Sequence, residues 1–563
     1  MEQRRFILLI VFAFSLFMLW EAWNAKNRPP VPQSEQPVSA QTTAHSTADD
    51  VPTPSDGLRK DLPATSQGTS AADITSSANT AATESITVTT DTVVAQISAL
   101  GGTIEHMALK KLKASADSND PFVLLDNGKE HIYQAQSGLI GTALPTHRTL
   151  FTLSDNQNLR LEDGADSLEV RLHAPEENGV QVDKVLTFHR GSYLIDIRYE
   201  ISNQSTGPIE ADAYFQFLRD DIPAEAVKLF GVHTFTGPAF YTDEGKYQKV
   251  QFKDITENKA KFTKQADNGW TAMVQHYFVS AWLPEKGTSR EFFAKRINNG
   301  LFTTGLIVPV DSIAPGTTGT IGLQLYSGPQ EQRKLADIAQ GLNLVVDYGW
   351  LTVIAAPLFH VLSWFHSLTG NWGWAIVLVT CAIKLVFFPL SAASYKSMAK
   401  MRVLAPRMQR LKELYGHDRM RMQQEMMTLY RTEKINPLGG CLPVLVQIPV
   451  FIALYWVLLG SFEMRHAPWI GWIHDLSSKD PYFILPIIMG ASMLVQMKLN
   501  PAPPDPIQAK VMMAMPIVFT FMFLWFPSGL VLYWVVNNLL SIAQQWQITR
   551  MIERGKKRSE SGS

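Results

Sequence analysis

The apolar positions of this chain are spaced in two different ways. Up to about residue 335 they come in short runs, many of them alternating with polar residues. Beyond it they come in unbroken runs long enough to approach a bilayer's thickness. The clearest alternating stretch is 184–201. Val185, Leu186, Thr187 and Phe188 lead into His189-Arg190-Gly191-Ser192, a turn sequence. Tyr193, Ile195, Ile197, Tyr199 and Ile201 then alternate with Leu194, Asp196, Arg198 and Glu200. A period of two predicts a strand with one buried face. Similar runs at 85–97, 159–172 and 301–323, separated by Gly- and Asn-rich breaks, predict an antiparallel β-sandwich over residues 84–335.

Ahead of that domain lie two segments of other kinds. Residues 6–23 are apolar, follow Arg4 and Arg5, and end in Trp20-Glu21-Ala22-Trp23. A signal-peptide apolar region is about 7–15 residues and ends at a small-residue cleavage site. This run is longer and has no such site, so residues 1–26 are expected to form an uncleaved anchor. Residues 27–83 are rich in Pro, Ser, Thr, Ala and Gln. They hold too little apolar surface to offset ordering entropy and are expected to form a flexible tether.

After residue 335 the pattern is that of a membrane protein. Within 336–370, residues 344–368 are apolar but carry Asp347, His360, His366 and a central Pro357, with Trp350, Trp364 and Phe365. This predicts an interfacial amphipathic helix, with a span as the alternative. Residues 371–547 contain five apolar runs: 372–390, 438–459, 482–497, 511–526 and 530–547. A single helix over 511–547 would be about 55 Å long against a hydrocarbon core of about 30 Å. Pro527-Ser528-Gly529 divides it into a hairpin. With the anchor, the expected total is six spans.

Charge sets the expected orientation. Residues 391–437 hold Lys396, Lys400, Arg402, Arg407, Arg410, Lys412, Arg419, Arg421, Arg431 and Lys434 against Glu413, Asp418, Glu425 and Glu433. The tail, residues 548–563, adds Arg550, Arg554, Lys556, Lys557 and Arg558, whereas 461–480 has only Arg465 and Lys479. By the positive-inside rule the basic loop and both termini are cytoplasmic, which requires an even number of spans. Within the basic segment, 392–436, two helices are expected with Tyr415-Gly416-His417 as the turn. Its many methionines, among them Met398, Met408, Met420 and Met427, suit adaptable apolar contact or ordinary hairpin packing. Its charge suits anionic lipid headgroups or ribosomal RNA.

The chain carries no P-loop, H-E-x-x-H, C-x-x-C or G-x-S-x-G signature. No enzyme activity, cofactor or metal is expected. Its two cysteines, Cys381 and Cys441, read as small buried hydrophobes. The candidate chemistry is Lys384, inside an apolar run. A cation at mid-span costs about 2.5–3.5 kcal/mol on insertion scales. Two readings stand side by side: the amine faces a polar cavity, or its stem snorkels past Pro389 to the headgroups. Thr380 lies four residues back on the same helical face. Gln447, Gln496, Asn537 and Asn538, with Tyr533 and Trp534, are polar or amphipathic groups in the other runs. Each suffices to glue helices together; collectively they suit a wetted groove.

Several long stretches resemble the YidC membrane protein insertase family, in its Gram-negative form with a large periplasmic domain. They are Tyr395-Lys396-Ser397-Met398-Ala399-Lys400-Met401, Asn436-Pro437-Leu438-Gly439-Gly440-Cys441, Gln447-Ile448-Pro449, and Trp525-Phe526-Pro527-Ser528-Gly529-Leu530-Val531-Leu532-Tyr533-Trp534. In the β-region, 270–284 with Gln275-His276-Tyr277-Phe278 is also similar. The resemblance implies a bacterial inner-membrane protein with a five-helix core around a hydrophilic groove, and a periplasmic domain resembling a β-supersandwich. The groove residues it implies are Lys384, Thr380 and Trp534, to which the polar residues above add Tyr533, Gln447 and Gln496. The family's groove cation is commonly Arg, so Lys384 keeps the charge without the guanidinium fork. Where this chain has Trp534, some members have Tyr. The partners implied are nascent membrane proteins, the Sec translocon, the ribosome and membrane lipids, and no DNA.

Three rival functions are distinguishable. A secondary transporter with an intramembrane Lys site would show paired repeats with broken helices, and none is evident. A protease pairing Lys384 with Ser391 would need groups separated by about 10 Å of helical rise to meet. A carbohydrate-binding β-domain would bind glycans.

Overall fold

In this computed structural model the described residues are 50–54, 84–116, 118–153, 158–223, 234–297, 300–433, 442–499 and 506–560. Two compact units divide the chain. Met1–Pro52 with Glu225–Thr234 form one, nearly all of it outside the described residues. The other, Thr53–Ala224 with Phe235–Ser563, contains everything that follows. The expected anchor at 6–23 and most of the tether lie outside the described residues.

The β-region folds as two sheets, one of ten strands and one of eight. The 184–201 pattern becomes the antiparallel pair Val180–His189 and Leu194–Asn203, with Leu186 opposite Ile197 and Phe188 opposite Ile195. Ile195, Ile197, Tyr199 and Ile201 are buried, while Asp196, Arg198 and Glu200 are half-exposed. The turn between the strands places Gly191 at φ 70°, a left-handed conformation that favours glycine. The 301–323 run is not one element. Phe302–Pro309 joins the ten-stranded sheet and Thr318–Pro329 the eight-stranded one, so the chain crosses between layers there. Between the sheets, Phe215, Phe217 and Trp282 are fully buried, with the Phe217 and Trp282 rings stacked at 5.6 Å.

The strands Trp270–Gln275 and Phe278–Leu283 show no alternation and are buried throughout. The reason is a second core on the outer face of the eight-stranded sheet. Tyr241, Trp270, Ala272 and Ala281 pack with Leu335, Leu342, Val345 and Tyr348 of the connection. The same cluster continues into Phe359, Ile376, Leu454 and Leu530 of the helical region. With both faces covered, a strand carries apolar residues at every position.

The helices are α1 (Phe252–Thr256), α2 (Gln332–Ile338), α3 (Thr352–Thr369), α4 (Trp372–Val386), α5 (Phe388–Tyr415), α6 (Arg419–Thr432), α7 (Leu442–Gly460), α8 (Ile484–Leu499), α9 (Pro506–Phe523) and α10 (Ser528–Glu560). Among the described residues, α3, expected at the interface, is alone long and apolar enough to cross a membrane. One face of it, Ala355, Phe359 and Leu362, is buried in the bundle, while Val353, Trp364 and Leu368 are exposed. Trp372–Val386 and Phe388–Met401 pass the same test jointly but are bent by 67°. The bend falls at Phe387, and Pro389 lies in the first turn of the next helix; a proline has no N–H to continue the preceding ladder. Shorter apolar stretches occupy Val446–Gly460, Ile484–Leu499 and Lys510–Phe523.

The basic segment forms α5 and α6, the second capped by the Asp418 carboxylate accepting from the Arg421 amide at 3.1 Å. The last helix runs on through most of the expected tail, to Glu560. Cys381 corrects an expectation: it is free but half-exposed rather than buried, because it sits on the outer side of α4. Cys441 lies outside the described residues.

One core position of the β-domain is a lysine. Lys184 is 1% exposed, and its amine donates to the carbonyls of Gly101 and Gly102, each at 2.9 Å. A Cβ at Gly102, where φ is 57°, would press on Leu172 and on the Lys184 stem. Burial pushes the ammonium down to about 7. The unfolded group keeps its ordinary value near 10.5, so between those two pH values the unfolded chain holds the extra proton. Stability of the β-domain therefore rises with pH across that window, by about 1.4 kcal/mol per unit at most, and falls again as pH drops toward 7. Urea unfolding of the full-length protein at pH 7 and pH 9, read from β-domain fluorescence, is expected to show a higher midpoint at pH 9. Lys184→Met should abolish that difference; equal slopes for both proteins would refute the assignment.

Candidate functional site

Polar side chains in the helical region gather along one stripe of α10. Tyr533, Trp534, Asn537, Asn538, Ser541 and Gln545 recur at helical spacing, and all but Trp534 are buried. Each of several neighbours sends a polar group to this stripe. From α7, the Gln447 amide donates to Asn537 Oδ1 at 2.5 Å and to the Tyr533 hydroxyl at 3.3 Å. From α8, Ser492 accepts from Asn538 at 3.1 Å, and the Leu499 carbonyl accepts from Gln545 at 3.1 Å. From α4, the Lys384 amine donates to Ser541 Oγ at 2.8 Å. The Ser541 hydroxyl gives its own proton to the Asn537 carbonyl at 2.7 Å, which leaves its lone pairs for the ammonium.

Lys384 is 7% exposed. Its amine is directed across to α10, one turn before the break at Phe387. Thr380 shares its face but is fully buried, and its hydroxyl donates to the Ile376 carbonyl of its own helix at 2.6 Å, the usual back-bond of a threonine in an apolar helix. Trp534 is half-buried, its ring edge-on to Phe451 at 5.0 Å and Phe523 at 5.8 Å, and among the described residues its indole N–H meets no acceptor. Gln496 stands apart: it is half-exposed near the end of α8, and among the described residues no hydrogen bond ties it to the seam. The seam thus unites Lys384, Gln447 and Tyr533 of the expected residues. Ser541, Ser492 and Gln545 were missed. Their signal was spacing, since Ser541 and Gln545 fall four and eight residues beyond Asn537 on one helical face.

A connecting segment caps one end of the bundle. The segment 461–480 ties together the start of α4, the end of α7 and the starts of α8 and α10. Asp475 accepts from the amides of His466 and Ser477 at 3.1 and 2.8 Å. Asp480 accepts from the Trp472 indole at 3.1 Å and the Leu485 amide at 2.7 Å. The Ser528 amide donates to Ser478 O and that of Gly529 to Leu476 O. Asn371, which caps α4, also donates to the Pro468 carbonyl at 3.1 Å. A side chain at Gly373 would collide with the Trp469 ring, so glycine lets the segment lie close. The polar stripe begins at Tyr533, about 8 Å below this cap, and runs about 18 Å to Gln545.

Elsewhere, a cavity of about 650 Å³ opens on the eight-stranded sheet beside Gln340, lined among others by Asp196, Arg198, Trp270 and Gln324. It contains none of the expected site residues. Among the described residues no group of three His, Cys, Asp or Glu side chains is placed to hold a metal.

Residues 85–361 match the family model of the YidC periplasmic domain, and residues 364–557 match that of the 60Kd inner membrane protein. A membrane protein insertase YidC from Aromatoleum aromaticum is 64% identical over 556 residues, covering 99% of both chains. The chain belongs to the YidC membrane protein insertase family. Its YidC relative from Dechloromonas aromatica is 57% identical, again with 99% of both chains covered. A solved structure titled as an active YidC insertase with its first transmembrane domain resolved is 17% identical, with 82% of this chain and 92% of that one covered and a TM-score of 0.38. The first YidC match ends at residue 361, inside α3, where the apolar cluster passes without a gap from the sheet into the helices.

The Ser541 contact can be tested directly. A hydrogen bond to a charged group contributes about 1.5–3 kcal/mol, and removing one partner leaves a buried ammonium short of an acceptor. Ser541→Ala is expected to lower the thermal midpoint of the protein in nanodiscs. In Lys384→Met, which has no charge to strand, the same Ser541→Ala change should cost much less. Equal losses in both backgrounds would show that the amine and hydroxyl are not coupled.

Proposed function

We propose that the chain inserts hydrophobic segments of nascent membrane proteins into the inner membrane, receiving them along the polar seam of α10. The observation that carries this reading is the Lys384 amine, buried among helices and held by Ser541 at 2.8 Å. An ammonium has three protons to donate, and a hydroxyl lone pair takes one. The seam is a place where water and the carboxylates of a passing chain complete the shell of that charge. An incoming polar tail would enter from the cytoplasmic side, stay solvated along the seam below the cap, and be drawn toward Lys384 where it is acidic. The apolar part would leave sideways into lipid, driven by burial at about 25 cal/mol per Å². Negative tails gain further from the membrane potential. The protein lowers a barrier and breaks no bond.

In this reading the core comprises five spans, the residue 6–23 run is a sixth, and both termini are cytoplasmic, as the basic residues of α5, α6 and the tail require. The ribosome and the Sec translocon are the partners that deliver or share clients, with the basic α5–α6 hairpin as the surface offered to them and to lipid headgroups. In this reading Trp534 and Tyr533 line the path with Gln447, Thr380 backs the Lys384 face of α4, and Gln496 would meet the client only beyond the seam.

Complementation of a depleted strain tests the charge. Lys384→Arg is expected to support growth, and Lys384→Glu to slow insertion of seam-dependent clients about tenfold or more, the equivalent of about 1.4 kcal/mol on the barrier. Photo-crosslinkers at Trp534 and Gln447 should capture ribosome-bound nascent membrane proteins. Full complementation by both Ala and Glu variants across several clients would sink the reading. Solute uptake by the purified protein in proteoliposomes would favour a transporter instead.

A further inference from the structure

The cap segment is held from two sides. Its contacts with the helix ends are described above; the other side rests on the β-domain, and Arg465 is the centre of that contact. Its guanidinium lies against the Phe122–Phe278 ring pair, 5.3 and 5.5 Å from the two centroids. Those rings are themselves stacked at 3.9 Å. The same guanidinium donates to the main-chain carbonyls of Lys113 and Ala114 at 2.7 and 3.0 Å. Phe122 and Lys113 belong to the neighbouring strands Pro121–Asn127 and Ile104–Lys113; Phe278 opens Phe278–Leu283 in the other sheet. One side chain therefore ties the cap segment to both sheets of the sandwich.

Two further contacts surround it. His276, in the turn before Phe278, donates from Nε2 to the Leu459 carbonyl near the end of α7 at 3.0 Å. Phe462, at the start of the cap segment, sets its ring against Phe278 with centroids 5.9 Å apart. A planar cation set against a stacked ring pair and fixed by two carbonyls is held in orientation as well as in place, since the guanidinium fork gives both contacts at once.

We propose that Arg465 is a positioning residue through which the β-domain holds the cap segment against the helix ends. The β-domain is then a buttress for the capped end of the bundle, and its attachment sets how firmly the cap segment is held. This holds whether or not the α10 seam is the client path.

Hydrogen exchange in the full-length protein in nanodiscs tests it. Arg465→Ala is expected to speed exchange of the Ser477, Leu485 and Gly529 amides at least about fivefold, with the Leu186 and Ile197 amides of the β-domain unchanged. Arg465→Lys, which keeps a donor and a charge but loses the plane, should fall between. Lys113→Ala should match the parent, because the acceptor there is main chain. Cap amides exchanging at the parent rate in Arg465→Ala would overturn the proposal, even if the β-domain itself loosened. Should that variant fail to accumulate, Arg465→Gln, which removes the charge but keeps a polar side chain of similar length, takes its place, and the same amides decide in the same way.

Discussion

The structure turns on one charged amine placed where apolar helices meet. In hydrocarbon an ammonium must neutralise, escape to the headgroups or find oxygen. Lys384 finds oxygen, on Ser541 of the facing helix. That contact has consequences along the whole of α10. The hydroxyl is oriented by its bond to the Asn537 carbonyl, and Asn537 is in turn fixed by Gln447. Such networks specify how helices meet because each polar group has few acceptable partners. The apolar residues around them, such as Ile376, Leu454 and Leu532, would tolerate many packings of similar volume.

A polar stripe on a buried helix carries a risk of its own. It stabilises one arrangement only if each of its polar groups finds a partner, as Asn537, Asn538 and Ser541 do. Asp475 and Asp480 hold the cap segment by satisfying backbone amides, so the cap needs no large apolar core of its own. The polar stripe and the tied segment therefore lie at successive levels of the bundle, the stripe beginning about five residues into α10.

The β-domain is not an appendage on a string. Its eight-stranded sheet presents an apolar outer face, and the connection and helices complete it. A sheet face of that kind must be covered by something. Here the cover is the segment leading into the membrane, which couples the position of the domain to the position of α3 and α7.

Local pattern alone revealed much of this. Alternation at Ile195, Ile197, Tyr199 and Ile201 gives a strand because period two puts all four on one face. Pro389 and Pro527 interrupt helices because they lack an N–H. The many lysines and arginines of α5 and α6 are legible from composition alone. Lys384 was conspicuous because a cation in an apolar run is costly wherever the run folds. The sequence could not say which way that amine would turn. Its direction depends on Ser541, 157 residues away, and no local periodicity of α4 refers to α10. Nor could it distinguish Thr380, bonded to its own helix, from Gln447, bonded to another, because both are polar residues in apolar runs. The unbroken burial of 270–275 and 278–283 and the clasp at Arg465 have the same origin. Each depends on a surface that comes from another part of the chain, and only the folded chain brings those parts together.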